Sequence, residues 1–128
     1  MLRIPTLLAT SRIPGAGLGL FCKAPVAAGT PIWCFDAGLD VVLEALPEDP
    51  VLRRFVQVYG YMPLEGPRRW VLCLDDARFI NHSGTPNTDD HADITTARRD
   101  LAAGEEITSD YRDFCRDPFG GWELPPDR

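Results

Sequence analysis

The segment RFINHSGTPNT, residues 78–88, is where the reading of this chain turns. It is too polar and too rich in turn formers for an ordinary core element, yet Phe79 and Ile80 stand in its first half. A loop drawn inward by such residues must satisfy its backbone N–H and C=O groups with side chains. Asn81, His82, Ser83 and Asn87 are suited to that task. The segment is therefore expected to be an interior loop held by its own polar groups.

On either side the chain reads as short strands joined by tight turns. Upstream, residues 69–74 form a strand candidate; downstream, residues 92–97 form another, and residues 105–111 a last one after the turn at Ala103 and Gly104. Near the N-terminus, residues 2–10, 18–23 and 31–35 alternate with turn-rich stretches, the first of them SRIPGAGLG. One region differs. Apolar residues between Pro50 and Val58 recur near a helical period, so a short helix is expected from Pro50, with Asp49 as its N-cap and an end before Gly60.

The 128 residues suit a single domain, residues 1–128, in which residues 112–128 form an aromatic tail that packs back on the rest. Apolar residues make up 45% and charged residues 25%, too apolar a balance for a disordered chain. No stretch approaches the roughly 18 to 20 apolar residues of a membrane helix, so no membrane association is expected. The start has neither an apolar signal segment nor a small-residue cleavage site, which points to a protein made without export. With 19 acidic against 13 basic side chains the formal charge is -6, which disfavours direct nucleic-acid binding and favours a basic partner. Carboxylates at Asp89, Asp90, Asp93, Glu105, Glu106 and Asp110 could supply such complementarity, or simply form a solvated face. The four cysteines, Cys22, Cys34, Cys73 and Cys115, lack CxxC spacing and read as free thiols, with no metal site expected.

Taken together, IPGAGLGLF (residues 13–21), RFINHSGTPNT (78–88) and AGEEITSDY (103–111) resemble the motifs of SET-domain protein lysine methyltransferases, in a minimal form without cysteine-rich flanks. The resemblance implies a mainly β fold of the β-clip type. Small curved sheets, one or two short helices and a knot-like crossing of the second and third motifs are its expected parts. It also implies S-adenosyl-L-methionine as the methyl donor and a lysine side chain of a basic protein, such as a histone, as the acceptor. The corresponding location is cytoplasmic in a bacterium and nuclear in a eukaryote.

Residue by residue, the resemblance assigns Gly17, Leu18 and Gly19 to a cofactor loop whose backbone can approach the ligand closely because the glycines lack Cβ atoms. Arg78, Phe79, Asn81 and His82 match cofactor-contacting positions, while Ser83 and Asn87 match residues that stabilise the crossing. Tyr111 matches the catalytic tyrosine, whose hydroxyl aligns the reacting groups. Tyr59 and Tyr61 are candidates for the channel wall or for a hydrogen bond to the amine, with packing at the helix end as the alternative. Trp122, and Phe114 on the substrate side, could cover the cofactor and close the lysine channel, or form a latch without ligand contact.

Two positions depart from the family pattern. Gly84 stands where relatives commonly have cysteine, and Ser109 replaces an aromatic residue two positions before the tyrosine. A small Ser109 implies a roomy substrate site able to reach higher methylation states. The same departures also fit an alternative: a weak or inactive SET-like module that binds a basic peptide. The absence of a zinc-binding tail leaves channel closure to the aromatic tail or to a second copy in a homodimer.

Overall fold

The computed structural model describes residues 1–119. Four small sheets and one α-helix make up the architecture. β1 (Thr6–Thr10) and β2 (Leu18–Cys22) form an antiparallel hairpin with Thr10 opposite Leu18. The glycine-bearing segment 11–17 is thus the hairpin's turn, closed by Ser11 N donating to Gly17 O at 2.8 Å. β3 (Pro31–Cys34), β8 (Thr88–His91) and β9 (Ile94–Ala97) form a second sheet with β9 central. β4 (Val41–Leu43), β5 (Gly60–Tyr61) and β6 (Trp70–Leu72) form a third around β6. In the fourth, β7 (Asn81–His82) and β10 (Thr108–Ser109) run parallel.

Leu20 and Cys22 of β2 pack with Val26, Ile32, Ala97, Leu101 and Ile107 in the main core, so the hairpin, the second sheet and the C-terminal segment share one apolar interior. A second cluster of Trp33, Cys73 and Ala77 lies beside it. The strand β2 is buried almost throughout, because its other face is covered as well: Arg12 places its guanidinium 5.6 Å from the Phe21 ring, and Phe21 bridges to Glu106.

The helix, α1 (Pro50–Tyr59), forms where the sequence predicts it. Asp49 accepts hydrogen bonds from Val51 N and Leu52 N, and Pro50 occupies the first turn, where its missing N–H costs nothing. At the other end, a Cβ on Gly60 would lie 2.7 Å from Val56 O, so the chain can turn into β5 only with glycine there. With the cap doing most to hold the first turn, Asp49→Ala is expected to lower stability by about 1 kcal/mol, read as a lower denaturation midpoint. An unchanged midpoint would show that packing alone fixes the helix start.

Several elements differ from the sequence expectation. The first strand begins at Thr6, well inside the predicted 2–10. The last predicted strand, 105–111, changes partner midway: Cys22 N donates to Glu105 O and Ile107 N to Leu20 O, after which Thr108 and Ser109 pair with β7. Tyr111 then opens a 3-10 turn (Tyr111–Asp113) capped by Asp110, where the sequence predicted the end of a strand. Leading into the second motif, Asp76–Phe79 forms another 3-10 turn. Strands β4, β5 and β8 carry too few alternating apolar residues to be seen in advance.

Candidate active site

The pairing of β7 with β10 brings the second and third motifs side by side, and side chains complete what two short strands cannot. Asn87 Nδ2 donates to Glu106 O at 2.7 Å, while Thr108 N donates to Asn87 Oδ1 at 2.9 Å. Asn87 thereby behaves as an extra peptide unit in the ladder. Ser83 N reaches Ser109 O at 3.0 Å. His82 Nδ1 accepts Tyr111 N–H at 3.2 Å, so that nitrogen carries no proton in this arrangement. These contacts fix the backbone on which the Tyr111 ring sits, and its hydroxyl donates to Ile80 O at 2.6 Å.

Beside Tyr111 opens a cavity of about 550 Å³. Its aromatic wall includes Trp33, Tyr59, Tyr61 and Phe114. Phe114 links the two tyrosines edge to face, with ring centroids 5.3 Å from Tyr61 and 5.7 Å from Tyr111. Tyr61 in turn meets Trp33 at 6.4 Å. Two polar atoms in this wall, Tyr61 Oη and Trp33 Nε1, are buried without a hydrogen-bond partner among the described residues. Burial pushes the Tyr61 phenol well above its ordinary range, with Cys73, Asp93 and Asp40 adding to the effect, so it stays a neutral donor. Burial likewise pushes the Cys73 thiol up to about 12, which leaves it an inert member of the wall.

A profile described as the SET domain matches residues 17–112, well over half of the chain. The chain belongs to the SET-domain family. Among solved structures it resembles Polycomb Repressive Complex 2 of Chaetomium thermophilum in an inhibitor-bound humanized mutant, with 22% identity over 90% of this chain and a TM-score of 0.66. The same complex bound to S-adenosylmethionine gives 22% identity, 90% coverage and a TM-score of 0.65. This chain spans only 16% of the length of those two chains. A Plasmodium falciparum protein assigned provisionally as a histone methyltransferase is 23% identical over 86% of this chain and 95% of its own, with a TM-score of 0.60. No curated protein sequence matches.

Within this SET domain the predicted site residues divide. Tyr111, Tyr59, Tyr61, Ser109, Phe114, Asn81, His82 and Arg78 all line the one cavity. From the N-terminal turn, Gly15 and Ala16 reach it, whereas Gly17, Leu18 and Gly19 are not among its lining residues. Gly17 has φ 78°, a conformation that favours glycine, and Gly19 faces inward: a Cβ there would lie 2.3 Å from Glu106 Oε1. Leu18 contributes its carbonyl, which accepts Asn81 Nδ2 at 2.8 Å. Phe79 turns from the cavity to pack on Tyr59 at 5.6 Å and under the Arg78 guanidinium at 4.9 Å. Trp122 lies outside the described residues.

Trp33 and Thr95, which line the cavity, were not foreseen there, and Asp90 and Glu106 were anticipated only within an acidic stretch facing a basic segment or solvent. Glu106 is buried, and its carboxylate accepts from Ser11 Oγ at 2.6 Å, Arg12 N at 2.7 Å and Asn81 Nδ2 at 3.2 Å. It ties the second and third motifs to the start of the turn that carries the first. Of the acidic residues read as one complementary face, several are already engaged: Asp89 pairs with Arg98, Glu105 with Arg99 and Asp110 with Arg112.

Arg112 beside Asp110 is the main reason that carboxyl titrates below its ordinary value. Because its folded value is depressed, Asp110 contributes stability above the unfolded carboxyl pKa of about 4 and loses it as pH falls through the folded value. Asp110→Asn is therefore expected to flatten the acid limb of the stability profile, seen in denaturation midpoints collected from neutral pH downward. An unchanged limb would assign acid sensitivity to other groups.

Proposed function

We propose that this SET domain transfers a methyl group from S-adenosyl-L-methionine to the side-chain amine of lysine in a basic protein, such as a histone or histone-like protein. One observation carries the reading: the Tyr111 hydroxyl, anchored on Ile80 O, borders the same cavity as Asn81, His82 and the unpartnered Tyr61 hydroxyl.

The cavity volume lies within the roughly 300 to 1,000 Å³ of small-ligand sites. Arg78, Asn81 and His82 would hold the donor from one side and the backbone at Gly15 and Ala16 from the other, with Gly17, Leu18 and Gly19 shaping that turn and Trp122 a candidate cover. Bound there, the donor supplies a methyl group activated by a sulfonium. The remaining work falls to the chain. Tyr61 and Tyr59 offer hydroxyls to the amine, and the aromatic wall, by withholding water, lowers the pKa of an entering ammonium and favours the nucleophilic neutral form. Tyr111 then positions the reacting groups, which is the larger part of the acceleration open to such a site. Ser109 and Phe114 border the substrate side, and the small Ser109 supports room for more than one methyl group. The net negative charge suits a basic substrate segment.

The decisive assay is transfer of labelled methyl from S-adenosylmethionine to a panel of basic proteins, run alongside calorimetric titration of the donor. Labelled lysine supports the proposal; donor binding with no transfer to any substrate removes it. A second reading, a non-catalytic module for basic peptides, draws on the placement of Gly17 and Gly19 away from the cavity lining. Peptide affinity without donor affinity would favour it.

A further inference from the structure

The cavity holds one feature that lysine methylation, as read above, does not use. Asp90 lines it from β8, on the far side of a cluster of hydroxyls. Thr95 Oγ1 donates to Asp90 Oδ1 at 2.5 Å across the β8–β9 pair, in which the two residues are register partners. Thr88 Oγ1 stands 3.4 Å from Asp90 Oδ2 and 2.8 Å from Ser109 Oγ. Thr95 and Ser109 also line the cavity, and Ser109 is only 3% exposed.

Three properties of this arrangement point the same way. First, the carboxylate is held by hydroxyl donors, which fix its orientation while leaving its charge uncompensated. Unlike Asp89, which pairs with Arg98, it forms no ion pair with a basic side chain among the described residues. Second, the same cavity is lined by aromatic rings, and ring faces together with a carboxylate make an environment selective for a cation. Third, the small Ser109, buried and packed on Thr88 beside this carboxylate, fills less of the cavity than an aromatic residue would. Burial, and the nearby Asp113, push the Asp90 carboxyl up from the ordinary aspartate value while the hydroxyls pull it back, as expected of an acid that lacks its countercharge.

Building on the proposed function, we infer that Asp90 is the amine-recognition residue of this cavity, the countercharge that captures the substrate's side-chain amine in its ammonium form on entry, ahead of the proton loss that precedes methyl transfer. The ligand class is a primary or methylated alkylammonium on a flexible stem, and neutral isosteres are excluded. A purely structural Asp90, serving only to brace the hairpin through Thr95, would show no such preference.

The test uses the full chain and two small probes, n-butylammonium and its neutral counterpart 1-butanol, titrated at neutral pH while backbone amide resonances are followed. The amine is expected to shift the resonances of Asp90, Thr95, Ser109 and Tyr111 saturably, and the alcohol to do so at least tenfold more weakly. Asp90→Asn keeps the shape and a partner for Thr95, so its melting temperature should not fall. Its affinity for the amine should drop at least tenfold, while Asp90→Glu recovers part of it. Equal binding of amine and alcohol, or undiminished amine binding by Asp90→Asn, overturns the inference. The outcome is separable from that of the methylation assay. Amine binding that depends on Asp90 in a protein that transfers no methyl removes the catalytic proposal and leaves this site standing, whereas methyl transfer by a protein indifferent to Asp90→Asn does the reverse.

Discussion

Glu106→Ala is expected to destabilise the protein by about 3–5 kcal/mol, the largest loss from any single side chain considered. The expectation follows from what the carboxylate leaves behind. Ser11 Oγ, Arg12 N and Asn81 Nδ2 all donate to it in half-buried hydrogen bonds, and each charge-assisted bond contributes on the order of 1.5–3 kcal/mol before relaxation. A void would also open against Gly19, whose missing side chain is the space the carboxylate fills. Since a domain of this kind has a total stability of about 5–15 kcal/mol, the loss removes a large share of it. Chemical denaturation is the measurement. Glu106→Gln keeps the volume but turns an amide N–H₂ toward donors, so an intermediate loss is expected. A Glu106→Ala protein within about 1 kcal/mol of the parent would show that the hairpin turn is held by the backbone alone.

For the proposed chemistry, Tyr111→Phe should have the greatest effect: a fall in methyl transfer of about 100-fold or more, with donor affinity changed only a few-fold. Such a split separates positioning of the reacting groups from binding. The hydroxyl has a structural duty as well. Without it Ile80 O loses its 2.6 Å donor, and a stability cost of about 1–2 kcal/mol is expected. Measuring denaturation and donor binding on the same sample keeps the two effects apart. Transfer within threefold of the parent would remove Tyr111 from the reaction.

The sequence made legible those elements whose local chemistry is self-contained. Helix α1 announces itself through Asp49 and Pro50, and β2 and β3 through apolar runs between turns. The meeting of Asn81, His82 and Tyr111 was readable only because three motifs were taken together, since nothing local in a Ser-Asp-Tyr sequence marks a reaction centre. What escaped was set by partners distant in sequence. The strand β8 is polar because its hydrogen bonds go inward to Thr95 and Ser109, so an alternation rule sees only a surface stretch. Asp90 was read as part of an acidic surface for the same reason. The resemblance assigned Gly17 and Gly19 to a cofactor loop; that Gly15 and Ala16 of that turn face the cavity, and that Gly19 faces Glu106, was set by the fold and not legible along the motif.

The Glu106 carboxylate joins residues separated by 95 positions, reaching back to Ser11. Closing so long a span is entropically slow, and no intervening stretch can substitute for either partner. During synthesis the hairpin must therefore wait, with its turn unbraced, until Glu106 has emerged from the ribosome. The cavity beside this brace is completed only after that residue is in place, and a chain released earlier would present exposed strand edges there.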